Sequence, residues 1–383
     1  MKLAPAWSRL IRLSLFVILL IVSGGLIQTA FFLQNSEDPQ GQPPFKSGRR
    51  EYQTDNYVII YDTPKLSAQK MAAQLETLRN NFLRVFSPDF DLQTPEKRMR
   101  VYLFKAEEEY QQYIRGKIPH MSDYSGLYDI QSKTLLLLDP QGSSGYQKVV
   151  EELGVLEHRL EETRRRIEFH EQRLTGKVPG STVRGQEWLS EQKRKHHEAE
   201  EGKLRMALNL KIKALEKFFV ATLHEGTHQL RDATGLWHVS PLWLEEGIAE
   251  YFSNTEYGQE ESVDTEIINK RALKEFKEAY TGGNLIPLRG LLTWGISTSV
   301  SQQIKFKNQI PTAYSEFWAL VYFFLHGDNG RWRGPFFSYI QDLRRDPPSP
   351  NNNLDHLARF QKMIKIQLSA FEQSWIKTVL EWN

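Results

Sequence analysis

The sequence of 383 residues contains no cysteine. This absence excludes disulfide frameworks, zinc sites built on thiolates, cysteine nucleophiles and lipid anchors attached to an N-terminal cysteine. Any metal ion bound by this chain must therefore be held by histidine, aspartate or glutamate side chains.

The chain also lacks an excess of charge of one sign. It has 49 lysines and arginines and 47 aspartates and glutamates, which gives a net charge of +2. So small a balance gives no reason to expect a nucleic-acid partner. Hydrophobic residues make up 40% of the chain and charged residues 25%. These shares lie near the globular average and exclude wholesale disorder, collagen and a polytopic membrane protein.

A long apolar run occurs near the N-terminus. Residues 13–33 (LSLFVILLIVSGGLIQTAFFL) carry no formal charge and follow Lys2, Arg9 and Arg12. A helix of this length spans about 30 Å, the thickness of a bilayer core. We therefore predict a single-pass signal-anchor in the cell membrane, with residues 1–12 in the cytoplasm and the rest of the chain on the periplasmic side. A cleavable signal peptide, which would release a secreted protein, is the alternative.

The next residues divide into a linker and a folded region. Residues 34–54 are rich in proline and polar side chains, and we predict a flexible linker there. Residues 55–142 are predicted to form an α/β subdomain, because apolar residues from Met71 to Val85 recur at the spacing of a helix. β-branched and aromatic runs indicate four strands, at residues 57–61, 99–104, 125–129 and 134–139. These elements predict a mixed sheet with at least one helix packed on it.

Residues 143–216 have a different pattern. Their apolar positions from Val149 to Leu174 follow a heptad spacing, and most other positions are charged. A break at residues 175–181 precedes a second charged helix, so we predict an antiparallel helical hairpin inserted into the domain. Four histidines of this segment are interpreted as ordinary surface residues rather than a metal cluster: His158, His170, His196 and His197.

The motif with the clearest chemistry is H-E-x-x-H, formed by residues 224–228 within an apolar helical run. On a helix, His224 and His228 share one face, so both imidazoles can bind one Zn²⁺. Glu225 points about 100° away from the first ligand and can face a metal-bound water. The motif predicts a zinc site whose general base is Glu225.

A second motif, PLWLEEGIAEYF at residues 241–252, offers a third ligand. Glu246 follows a loop that gives the chain room to return, and two imidazoles with one carboxylate leave a fourth position for water. Glu250, one helical turn later, can accept a hydrogen bond from a ligand imidazole and fix its tautomer. The alternative is a solvated acidic face, but a surface helix would seldom carry so many apolar residues around its glutamates.

HEGTH followed by WLEEGIAEYF resembles the gluzincin clan of zinc metallopeptidases, which includes the thermolysin-like enzymes and the aminopeptidase N group. The resemblance implies His224, His228 and Glu246 as the zinc ligands and Glu225 as general base and acid. It also implies that Glu250 takes the place of an aspartate found in the thermolysin-like branch.

Beyond the clan, four segments resemble a bacterial family of exported gluzincin-like proteins known only as a domain of unknown function: YVIIYD, VYLFKAEEEYQQY, SGLYD…TLLLLD and AYSEFWALVYFFL. The similarity covers residues 55–142 and 217–345. It implies an α+β fold with a zincin-like mixed β-sheet subdomain, an HExxH active-site helix and a mainly helical C-terminal subdomain over residues 217–383. The helical hairpin is then an insertion.

Gluzincins use a tyrosine or histidine downstream of the third ligand to stabilise the developing oxyanion. Tyr314, in the segment AYSEFWALVYFFL, is the candidate by its resemblance, and a buried aromatic without a catalytic task is the alternative. Weaker candidates are Tyr257, Tyr322, His238 and His326. The sequence lacks the exopeptidase motif G-x-M-E-N, so amino-terminal trimming is not supported.

These observations predict a membrane-anchored zinc endopeptidase outside the cytoplasm, acting on peptide or protein substrates. The strand at residues 134–138 is a candidate edge on which an extended peptide could dock, with burial in the core as the alternative. A second hypothesis is a non-catalytic exported scaffold, in which a structural zinc site supports the fold and the helical hairpin binds a protein partner.

Overall fold

The computed structural model describes residues 49–117, 125–175, 183–237, 240–253, 268–293, 310–347 and 353–383. The predicted signal-anchor at residues 13–33 lies outside these ranges. Within them, no helix combines the length and the apolar character needed to cross a membrane.

A five-stranded mixed sheet forms the N-terminal part of the described chain. Its strands are β1 (Arg50–Gln53), β2 (Tyr57–Tyr61), β3 (Met99–Phe104), β4 (Gly126–Asp129) and β5 (Thr134–Leu138). Their order is β1-β2-β3-β5-β4. β2, β3 and β5 are mutually parallel, whereas β1 and β4 run antiparallel at the two edges.

The edges of the sheet bear on two sequence expectations. Strand β5 lies between β3 and β4 and is buried along its length, so its alternative interpretation as a core strand is confirmed, and the edge is β4. Strand β1 falls within the stretch expected to be a flexible linker. Its polar sequence REYQ lacks the apolar pattern that predicts a strand. The strand is stabilised by backbone pairing with β2 and by the Arg50 guanidinium, which lies 5.0 Å from the centre of the Tyr61 ring.

Helices cover both faces of the sheet, which explains why the central strands are apolar on both sides. Helix α1 (Lys65–Phe86) packs on one face, in the core cluster that contains Ile59, Val101 and Leu137. Helix α2 (Glu107–Lys117) packs on the other, through Tyr110 and Ile114.

Helices α3 (Ser144–Thr175) and α4 (Val183–Ala233) form the hairpin. Ion pairs link Lys203 to Glu157 at 3.0 Å and Lys193 to Glu171 at 2.6 Å, so the two helices run antiparallel. Leu160 and Ile167 are buried along the α3 seam. His196 differs from the surface position expected of it, because its imidazole lies in the hairpin and its Nε2 is 2.8 Å from the carbonyl oxygen of Leu160.

The C-terminal part of the described chain is helical. Its helices are α5 (Leu242–Phe252), α6 (Lys270–Thr281), α7 (Leu288–Leu292), α8 (Ile310–His326), α9 (Arg333–Arg345), α10 (Asn353–Ile364) and α11 (Leu368–Glu381). Residues 317–325 of α8 are all buried, and this helix packs against α5 and α6. The α+β class predicted from the sequence is confirmed.

Candidate metal centre

The H-E-x-x-H motif lies in the last three turns of α4, where this long helix enters the core. Gly226 faces α1, and a Cβ atom there would approach methyl carbons of Leu75 and Leu78 to 2.9 Å. Glycine therefore lets α4 lie close to α1. This packing fixes the helix face that carries His224 and His228.

The two imidazoles and one carboxylate converge. Nε2 of His224 is 3.4 Å from Nε2 of His228 and 3.1 Å from Oε2 of Glu246, and Nε2 of His228 is 3.9 Å from Oε1 of Glu246. The ligand atoms of this group all lie within 4.8 Å of one another, and the group could hold a metal ion. The three side chains are 13–15% exposed, so the site is shielded but reachable.

Helix α5 delivers Glu246 to the site. Helix α4 ends in a turn through Gly235, whose φ of +60° favours glycine, and α5 begins after Pro241. A Cβ on Gly247 would lie 2.7 Å from the carbonyl oxygen of Phe317 and 2.7 Å from a methyl carbon of Val321. Glycine here lets α5 pack closely on α8, which places Glu246 opposite the two histidines.

The other ring nitrogen of His224 faces Glu250, the predicted partner of a ligand imidazole. Nδ1 of His224 is 3.2 Å from Oε1 of Glu250, which is itself buried. Burial alone lowers the pKa of the His224 imidazole, but hydrogen bonds to Glu246 and Glu250 raise it well above its ordinary value. Glu250 therefore faces the Nδ1 side of the ring, while Nε2 faces His228 and Glu246.

His228 also faces a carboxylate, that of Glu245, which the sequence analysis did not assign to the site. Oε2 of Glu245 lies 3.8 Å from Nδ1 of His228 and 3.4 Å from Nε of Arg231. Burial alone raises the pKa of Glu245, but Arg231, His228 and Ser240 outweigh it and lower that pKa to about 2. Glu245 is therefore ionised inside the protein at neutral pH.

Glu225 lies between the helix and the sheet edge. Its Oε2 accepts a hydrogen bond of 2.8 Å from the backbone N–H of Tyr128 on β4. The hydroxyl of Tyr128 donates to Oδ2 of Asp232, two helical turns further along α4, at 2.7 Å. The edge strand is thus bonded at two points to the helix that carries the H-E-x-x-H motif.

Tyr314, on α8, lies beside the candidate metal-binding group. Its ring centroid is 6.2 Å from that of His224, with the ring planes 30° apart. Tyr322 and His326 contact Tyr251 instead: Nε2 of His326 lies 2.8 Å from the Tyr251 hydroxyl, and the Tyr322 ring is 6.2 Å from the Tyr251 ring. Two further candidates, Tyr257 and His238, lie outside the described residues.

The profile of DUF1570, a family of proteins of unknown function, matches residues 219–349. The matched segment contains His224, His228, Glu246 and Tyr314. No curated protein and no solved structure matches the chain.

Proposed function

We propose that this chain is a zinc-dependent peptidase of the gluzincin type that cleaves within peptide or protein substrates. The observation that carries the proposal is the convergence of His224, His228 and Glu246, whose ligand atoms lie within 4.8 Å of one another. Two imidazoles and one carboxylate are a donor set found in catalytic zinc sites that keep one position open. The donors therefore fit zinc.

Zinc bound there would supply a Lewis acid and a water molecule that is acidic near neutral pH. Glu225 takes a proton from the attacking water and returns it to the leaving amine. The Tyr314 hydroxyl donates to the substrate carbonyl oxygen as negative charge develops on it. The positions of Glu225 at the sheet edge and of Tyr314 beside His224 support these two roles.

Strand β4 is the proposed docking edge for an extended peptide. It is an edge strand, and it is bonded to α4 through Glu225. A peptide that adds to such an edge forms backbone hydrogen bonds without regard to most of its side chains. The uncharged apolar run at residues 13–33 supports a further part of the proposal: the protein is anchored in the membrane, with its catalytic domain on the periplasmic side.

The metal is tested on the full chain purified in detergent. We expect about one zinc ion per chain by elemental analysis, and loss of zinc in His228→Ala because two protein ligands hold zinc poorly. His158→Ala is the matched control, since the side chain of His158 is 78% exposed on the hairpin. Full zinc occupancy in His228→Ala would refute the ligand assignment.

The reaction is tested with Glu225→Gln and a peptide library. Gln can still accept the N–H of Tyr128, so zinc content and melting temperature should stay near wild type, while hydrolysis falls by about 100-fold or more. Glu162→Gln, on the exposed side of the hairpin, is the control. A zinc-loaded wild type that cleaves nothing in the library would count against the peptidase.

The second candidate function is a non-catalytic scaffold that binds a protein partner through the hairpin. It is favoured by the exposure of Phe169 and Trp188, which are 56% and 45% accessible on α3 and α4. Exposed aromatic residues are enriched at protein interfaces. A biological role that survives Glu225→Gln but is lost in Phe169→Ser with Trp188→Ser would favour the scaffold over the enzyme.

A further inference from the structure

Glu245 makes contacts on both of its carboxylate oxygens. Oε1 accepts hydrogen bonds from Nε1 of Trp237 at 3.0 Å and from the hydroxyl of Ser240 at 2.7 Å. Oε2 lies between His228 and Arg231, 3.8 Å from Nδ1 of the imidazole and 3.4 Å from Nε of the guanidinium. The carboxylate of Glu245 therefore connects His228, a candidate metal ligand, to Trp237 and Ser240, which precede the helix that carries Glu246.

Arg231 belongs to the same arrangement. It follows His228 by three residues on α4, is 4% exposed, and its NH1 lies 3.4 Å from the carbonyl oxygen of Trp237. A guanidinium so deeply buried needs an anionic partner, because an unpaired buried charge is strongly destabilising. Glu245 supplies that charge.

We propose that Arg231 and Glu245 form a buried ion pair that positions His228 for metal binding. Glu245 is a positioning residue: its Oε2 sets the orientation of the imidazole, while its Oε1 holds Trp237 and Ser240, which precede the helix α5 that carries Glu246. The inference rests on the proposed zinc site and deepens it. In this proposal Glu245 orients the imidazole of His228, as Glu250 orients that of His224.

A purely structural role makes a different prediction. If Glu245 only neutralises Arg231, removing both charges together should restore the protein, since a buried ion pair can be replaced by neutral residues at little cost in stability. If Glu245 also positions His228, the double replacement should restore stability but leave zinc binding weakened. The variants are Glu245→Gln and the double variant Arg231→Met with Glu245→Gln.

Zinc affinity is measured on the full chain by competition with a chromogenic chelator, and stability by the melting temperature of the metal-free protein. We expect Glu245→Gln to weaken zinc binding about 10- to 100-fold and to lower the melting temperature by about 10 °C. The double variant should melt near wild type and keep the loss of affinity. Glu250→Gln, which alters the carboxylate facing His224, should weaken binding to a similar degree.

The absorption bands of the Co²⁺-loaded protein give a second readout, because they report ligand geometry and do not respond to stability alone. We expect them to change in the double variant. Zinc affinity within threefold of wild type and an unchanged Co²⁺ spectrum in that variant would overturn the positioning role and leave the zinc site standing. A wild type that binds no zinc would overturn the proposed function together with this inference.

Discussion

The backbone N–H of Tyr128 donates a hydrogen bond of 2.8 Å to the side chain of Glu225, which joins the edge of the sheet to the candidate general base. The two residues are far apart in sequence, and the contact exists because β4 lies directly on α4. Gly126, two residues earlier on the strand, makes this approach possible. A Cβ there would lie 3.2 Å from Cγ of Glu225 and 3.3 Å from Cβ of Ala221.

Gly126→Ala should therefore disturb the candidate base Glu225 without contacting the candidate metal ligands His224, His228 and Glu246. The added methyl group forces β4 or Glu225 to shift by a few tenths of an ångström, and we expect peptide hydrolysis to fall about 10-fold, since small misplacements of reacting groups are costly. Zinc content should not change. Gly154→Ala is the control, because a Cβ at Gly154 meets nothing within 4 Å. Activity within twofold of wild type would mean that the position of Glu225 tolerates movement of the strand.

Tyr314→Phe tests the proposed oxyanion donor. The ring beside His224 is kept and only the hydroxyl is lost, so zinc content and melting temperature should stay near wild type. Loss of one such donor costs about 100- to 1,000-fold in turnover in well-studied cases, and we expect a loss of about 10- to 1,000-fold here. Tyr280→Phe, at a tyrosine that is 48% exposed, is the control. Unchanged turnover would make Tyr314 an aromatic packing residue.

Local patterns were enough to predict that His224, His228 and Glu246 could share one candidate metal centre. The spacing of His224 and His228 places both rings on one helix face whatever the rest of the fold, and the apolar run around Glu246 indicates a helix that packs in the core. The strands at residues 57–61 and 99–104 were also predicted with their observed bounds, because fully buried strands have nearly continuous apolar sequences.

Long-range arrangement could not be predicted in the same way. The sheet edge is β4 and not β5 because β5 pairs in parallel with β3. The sequence of residues 125–139, which form β4 and β5, does not show that β3 will be the neighbour of β5. The role proposed for Glu245 depends on Arg231 being buried beside it, although arginine side chains are usually exposed. Such contacts become visible only when the elements are packed.

The hairpin should be separable from the metal centre. Replacing residues 158–202 with a short Gly/Ser linker joins Glu157 and Lys203, whose charged groups are 3.0 Å apart, so the remaining turns can keep their register. A helical hairpin buries its own seam, and we expect zinc content and a cooperative melt to be retained. A deletion variant that unfolds or loses zinc would show that the hairpin stabilises the body of the protein.

Glu316, fully buried on α8, predicts a dependence of stability on pH. Its Oε1 accepts a 2.9 Å hydrogen bond from the N–H of Ile286, its Oε2 has no hydrogen-bond partner in the described part of the chain, and burial raises the pKa of this carboxyl to about 8. The unfolded chain ionises this group above about pH 4.5, whereas the folded protein keeps it neutral until about pH 8. Folding therefore takes up a proton in this window, and stability is lost as the pH rises through it.

Glu316→Gln should remove this loss, because the amide keeps the oxygen that accepts from Ile286 and carries no ionisable proton. We expect the free energy of unfolding of wild type, relative to the variant, to fall by up to about 4 kcal/mol between pH 5 and pH 8. Urea unfolding at both pH values measures this change. Taking the difference between the two proteins cancels the pH dependence of the candidate metal centre, which they share. Glu278→Gln, at a side chain that is 67% exposed, should give a difference near zero. If wild type and Glu316→Gln respond to pH in parallel, Glu316 is ionised in the folded protein, and a cation or water must then compensate its charge.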